Sequence, residues 1–134
     1  MASIDAISRL GHRNATKLRK AGIRTTEALL NRAATRKGRR ALAEQTGFTE
    51  QQLLTWVNRG DLLRVKGVGQ EYADLLEAAG ADTVRALRNR SPANLLKRMV
   101  EQNKKARLVR RLPTPAMVER WVAHARELPP VVSN

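Results

Sequence analysis

The chain is 134 residues long, has no cysteine, and sets 26 Lys and Arg against 12 Asp and Glu for a formal net charge of +14. The absent cysteine excludes a disulfide framework and a thiolate metal site, and no apolar run approaches the length that crosses a bilayer. Both halves carry the basic excess, 12 cations against 4 acids in residues 1–60 and 14 against 8 in 61–134, which fits a large polyanion, most simply nucleic acid.

A generic solubilising surface is the plain alternative. The N-terminal stretch MASIDAISRL lacks the basic-then-apolar pattern of a signal peptide. The expectation is a soluble cytoplasmic protein, nucleoid-associated if it binds DNA.

Apolar residues recur at three and four positions and no segment shows the alternation of a strand, so the expected fold is all-α. A short helix near Ser3 to Ser8 leads to a turn at Gly11, and a helix from about Arg13 to Ala21 stops at Gly22, a left-handed C-terminal cap. Thr25 or Thr26 caps a helix carrying Ala28, Leu29 and Leu30. After the basic run RKGRR a helix continues to Gly47, and Thr49 with Gln52 forms a capping box for the helix of Leu53, Trp56 and Val57. Asp61 is expected to cap a short helix through Leu62, Leu63 and Val65, followed by the turn KGVGQ and a helix from Glu71 to Ala79 that stops at Gly80. Thr83 caps the next piece, and Ser91-Pro92 and Thr114-Pro115 each place a cap before a proline at the first helical position. Pro129 and Pro130 end the last helix, leaving PPVVSN expected to fray.

These elements come twice. Shifted by 58, Gly11, Ala15, Leu18, Ala21, Gly22, Thr25, Ala28, Leu29 and Arg32 fall on Gly69, Ala73, Leu76, Ala79, Gly80, Thr83, Ala86, Leu87 and Arg90, nine identities in 22 residues. Shifted by 65, Arg39, Arg40, Ala41, Thr49, Trp56 and Val57 fall on Lys104, Lys105, Ala106, Thr114, Trp121 and Val122, which implies about seven extra residues between Ser91 and Asn103. The expected organisation is one repeat over 1–60, a second over 61–128 and a tail over 129–134, the two repeats packed as one pseudo-two-fold domain.

The segment LLRVKGVGQEYADLLEAAG spaces two glycines around a small apolar residue ahead of a helix. Gly67 and Gly69 allow positive φ and close backbone approach, Val65 and Val68 tuck the turn into the core, and the helix starting near Gln70 aims its free N–H groups at whatever lies over the turn. A phosphate suits that position. Lys66, Gly67, Val68, Gly69 and Gln70 are therefore candidate nucleic-acid-binding residues.

The first copy, AISRLGHRNATKLRKAG, has Arg9 where the second has Gly67, so its turn is expected to be altered or its positive-φ site lost. Charge takes the glycine's place: Arg9, His12, Arg13, Lys17, Arg19 and Lys20 crowd this hairpin, and Arg9, Gly11, His12, Arg13 and Lys17 join the candidates. Arg39 and Arg40, with Lys104 and Lys105, are further candidates, because cations near helix beginnings oppose the dipole and hint at an anion there. A solvated basic face is the simpler account. Hairpins of this kind also serve only to pack helices or to meet protein partners.

The turn and its flanking helices resemble a helix-hairpin-helix motif, which implies that the turn amides hold a sugar-phosphate backbone without reading bases. The phrases AGIRTTEALL, LAEQTGFTEQQLLTWVNR, LLRVKGVGQEYADLLEAAGADTV and RRLPTPAMVERWVAHARELP resemble, from end to end, a bacterial and cyanobacterial domain-of-unknown-function family with paired helix-hairpin-helix repeats. That resemblance implies a Gly-apolar-Gly turn in both repeats, from which Arg9 and His12 depart.

Trp56 and Trp121 share helical faces with Leu53 and Val118 and are expected in the core. Aromatic residues make up 3% of the chain, too few for a base-stacking platform, so duplex or structured backbone is favoured over single strands. His12 and His124 lack companions at metal or catalytic spacing, no catalytic or phosphate-loop signature is present, and the lysine and aspartate of helix-hairpin-helix glycosylases have no counterpart after Gly69. The chain is expected to be no enzyme and to need no cofactor. Three partners remain open: duplex DNA, structured or ribosomal RNA, and an acidic protein.

Overall fold

The computed structural model describes residues 2–133, and these are all-helical, with a lone antiparallel bridge between Ser3 and Thr25 in place of any strand. The chain divides into two compact units, one running up to Asp61 and regaining the segment that starts at Val131, the other spanning Leu62–Pro130. The tail is thus no free end. The Ser133 N–H donates to the Ala34 carbonyl at 2.9 Å, and the Ser133 carbonyl accepts from the Arg39 guanidinium.

In the first unit a 3-10 turn over Ile4–Ala6 precedes α1 (His12–Lys20), α2 (Thr26–Ala33), α3 (Arg36–Thr46) and α4 (Glu50–Leu62). Threonines start the middle helices: Thr25 accepts from the Ala28 N–H and Thr35 from the Gly38 N–H, each satisfying one orphan donor of the first turn. The capping box forms as expected, Thr49 accepting from the Gln52 N–H at 3.0 Å while the Gln52 side chain accepts from the Thr49 N–H at 2.9 Å. Gly60 faces Thr26 of α2, and a Cβ added there would make an ordinary van der Waals contact, 3.6 Å from the Thr26 Cβ. The buried side chains of this unit include Ile4, Ile7, Leu10, Leu18, Ile23, Leu29, Leu42, Leu53, Trp56 and Val57. Phe48 meets Trp56 edge to face at 4.9 Å between centroids, a favourable aromatic geometry.

The second unit holds α5 (Gln70–Ala78), α6 (Val84–Arg88), α7 (Pro92–Ala106) and α8 (Pro115–Glu127). One core joins Leu62, Val65, Val68, Leu75, Leu76, Val84, Leu87, Leu95, Met99, Val118, Trp121 and Val122. Thr83 and Thr114 cap α6 and α8 through the Ala86 and Met117 N–H groups, whereas Ser91 makes no side-chain cap and leaves the start of α7 to Pro92. Asp61 does not begin a helix. It is buried in the last turn of α4, because that helix runs one residue further before the chain turns.

The extra residues of the second repeat also fall later than the sequence offsets imply. Thr35 and Ser91 both precede their helices, so Arg39 on α3 matches Leu95 on α7, and the added length lies in the end of α7 and in the loop 107–114. Asn103 staples that loop, donating to the Val109 carbonyl at 3.2 Å and accepting from its N–H at 3.0 Å.

Candidate functional site

The two hairpin turns share one hydrogen-bond scheme. In the first, the Ile7 N–H donates to Ile4, Leu10 to Ile7 and Ala15 to Gly11; in the second, Val65 donates to Leu62, Val68 to Val65 and Ala73 to Gly69. The tight position has φ +89° at Gly67 and φ +65° at Arg9. The first turn therefore keeps its hydrogen bonds and its left-handed residue, although an arginine occupies that position at a cost of about 1–2 kcal/mol relative to glycine. Buried anchors, Ile7 and Leu10 here, Val65 and Val68 there, hold the backbone in place.

Gly69 behaves differently from expectation. Its φ is −95°, extended backbone that any residue adopts, and a Cβ there would meet nothing within 4 Å. The steric demand rests on Gly67, where an added Cβ would come within 3.1 Å of the Trp121 Nε1. Gly11, by contrast, does need positive φ, at +84°.

Gly11 and Gly69 are the N-caps of α1 and α5, and neither helix receives a side-chain cap, unlike the threonine-capped α2, α3, α6 and α8. First-turn N–H groups at such a start stand open to a ligand. Electrostatics separate the two. The first turn of α1 contains no acid and exposes His12 and Arg13, with Arg9 exposed just before it. The first turn of α5 exposes Glu71, which repels an anion, beside Gln70 and Lys66.

The second turn is also engaged by α8. The Lys66 N–H donates to the His124 Nδ1 at 3.0 Å, and Lys66 and Gly67 line a groove with Met117, Arg120, Trp121, Ala123, His124 and Glu127. The tilted contact of Tyr72 with Trp121, centroids 5.1 Å apart, fixes the aromatic floor, and the Tyr72 hydroxyl donates to the Arg111 carbonyl. Both tryptophans are buried, as the face they share with Leu53 and Val118 implies.

Other candidates lie apart from the turns. Lys17 places its ammonium 4.6 Å from the Phe48 ring centroid, a cation–π contact, instead of over the hairpin. Arg19 pairs with Asp5 at 2.5 Å. Arg39 is buried at 3% exposure and donates to the Ala33, Ala34 and Ser133 carbonyls, so it closes the α2 end and the returning tail and cannot serve a polyanion. Burial, then the neighbouring Arg36 cation, lowers its pKa, with Glu50 acting the other way. Arg40 is exposed.

Lys104 and Lys105 stand in the last turn of α7, not at a helix beginning, where cations favour the dipole and imply no anion. They are exposed, as are Arg107, Arg110 and Arg111 that follow, and the repeat pattern does not single out this dense cationic loop. A count of arginines per loop would have found it. Among the described residues no group of three or more His, Asp or Glu side chains could hold a metal ion, and no helix is long and apolar enough to cross a membrane.

No curated protein and no solved structure shows a significant match to the chain. A family model described as a domain of unknown function (DUF4332) matches residues 8–128, a span that holds Arg9 to Arg13, Lys66 to Gln70 and the whole of α8. The chain belongs to this family.

Proposed function

We propose that the protein is a non-enzymatic module that grips the sugar-phosphate backbone of a duplex, DNA in the first instance, without sequence preference. Its turns are read as hairpins of the helix-hairpin-helix kind. The observation that carries the proposal is the first turn: it keeps the hydrogen bonds and left-handed residue of the second while presenting Arg9, His12 and Arg13 at an uncapped helix start free of acids. Open amides and a helix dipole attract phosphate oxygens, and exposed arginines add bidentate donors. The first hairpin is thus the leading anchor, with the exposed Arg40, Lys104 and Lys105 supplying diffuse attraction.

Duplex DNA, duplex RNA and heparin, titrated side by side after purification in high salt with nuclease, test this reading. Neutralising about six phosphates predicts a loss of about three decades in duplex affinity between 50 and 200 mM salt, with little dependence on sequence. Preference for the RNA duplex would assign the module to structured RNA or the ribosome. Absence of binding to either duplex at 50 mM salt overturns the proposal.

The competing adaptor reading, an acidic protein partner, draws on the groove of the second unit, where Met117, Ala123 and Trp121 form an apolar floor between Lys66 and Arg120. It predicts binding that survives moderate salt, since apolar burial is not screened.

A further inference from the structure

We propose that His124 is a proton-operated latch on the second hairpin turn. The Lys66 N–H, the amide just before the left-handed Gly67, donates to the His124 Nδ1 at 3.0 Å. That contact requires a neutral imidazole, because only an unprotonated ring nitrogen accepts. Protonation turns Nδ1 into a donor facing a donor. The hydrogen bond is lost, the Lys66 N–H is released, and a positive charge arises beside Gly67. The latch is closed when the imidazole is neutral and open when it is charged.

The surroundings suit a switch. The residues lining the groove around the imidazole come from the turn and from α8; its charged members are Lys66 on the turn and Arg120 and Glu127 on α8, and His124 itself is only partly buried, so protons reach it. The position on α4 that matches His124 by the shift of 65 is Arg59, so the imidazole latch belongs to the second unit alone. A released turn amide and a new cation both favour a phosphate group at the second hairpin, and by linkage a phosphate bound there favours the protonated ring. This last consequence rests on the proposed backbone binding; the latch itself does not.

The test is an amide and imidazole NMR titration of the full chain from about pH 8 to pH 5.5, the range in which imidazoles change charge. The Lys66 amide resonance is expected to move with the same midpoint as the His124 ring, and in His124→Asn, whose carbonyl oxygen accepts without titrating, it is expected to stay still. A Lys66 amide indifferent to ring protonation, or a ring that stays neutral throughout, overturns the latch; the wild-type titration decides this even if the variant fails to fold. Duplex affinity is then measured across the same range in a His12→Asn background, which silences the other histidine. Acidification is expected to raise affinity about tenfold more in the protein that keeps His124 than in its His124→Asn counterpart, the size of one charge-assisted contact. A moving Lys66 amide in a protein that, with His12 in place, binds no duplex at any pH leaves the latch standing and removes the nucleic-acid reading.

Discussion

The two hairpins share one hydrogen-bond scheme and carry opposite decoration. The second spends a glycine, φ +89°, on its left-handed position and then places Glu71 over the helix start; the first tolerates Arg9 at φ +65° and places Arg13 at the position matching Glu71. A second such exchange occurs at the C-cap of the third helix of each unit, Gly47 at φ +84° on α3 against Arg107 at φ +49° on α7. Among the described residues these two arginines are the non-glycine residues with positive φ. Each places a charged side chain at a left-handed position where its counterpart in the other unit is glycine.

The largest expected effect concerns Arg39, which is buried against the returning tail. Arg39→Ala strips the Ala33, Ala34 and Ser133 carbonyls of their donor and opens a cavity, and should cost about 3 kcal/mol of stability by chemical denaturation. Arg40→Ala, at an exposed position, should cost less than about 0.5 kcal/mol while lowering the salt slope by about one contact. Equal stabilities for the two variants would mean that the buried guanidinium does not hold the tail.

Next comes the pair of glycines in the second turn. Gly67→Val combines a β-branched side chain at positive φ with a Cβ 3.1 Å from the Trp121 ring nitrogen, and should destabilise by about 2–3 kcal/mol. Gly69→Ala meets open space at φ −95° and should be neutral within about 0.5 kcal/mol or slightly stabilising. Thermal denaturation of both separates turn geometry from glycine content. In the first turn, Arg9→Gly should change stability by less than about 1 kcal/mol, because relief of strain is offset by a more flexible unfolded chain, yet should lower the salt slope by about one contact.

Much of this is legible in the repeat. The shift of 58 places α1 on α5, Gly22 on Gly80 and Thr25 on Thr83, and both glycines are left-handed while both threonines accept from the N–H three residues on. Local chemistry decides those features, so sequence carries them. The failures share a different cause. Arg39 reads as a surface cation because nothing near it in sequence reveals that Ser133 returns to meet it, and Lys104 reads as its partner because the sequence offsets put the insertion that lengthens α7 too early. The His124 contact with Lys66 spans 58 residues and joins two ordinary residues at a spacing no motif describes. Analogy with its neighbour gives Gly69 a positive φ; the matching Gly11 has one, at +84°, whereas Gly69 starts α5 from extended backbone.

The smallest expected effect is the most discriminating, because its signs oppose one another. Glu71 in the first turn of α5 stabilises the helix dipole and repels an anion, whereas Arg13 at the matching position of α1 does the reverse. Glu71→Gln should therefore lose about 0.3–1 kcal/mol of stability and gain about two- to fivefold in duplex affinity at low salt, while Arg13→Gln should gain slightly in stability and lose affinity by a similar factor. Denaturation and duplex titration on the same two proteins read all four signs. Opposite movements of stability and affinity in both variants would mean that both helix starts face the phosphate backbone. A response from Arg13→Gln alone would assign the grip to the first hairpin and leave the second to its contact with α8. Unchanged affinity in both, with the stability changes intact, would show helices that feel their dipoles but meet no anion, and the charge of the chain would then act only at a distance.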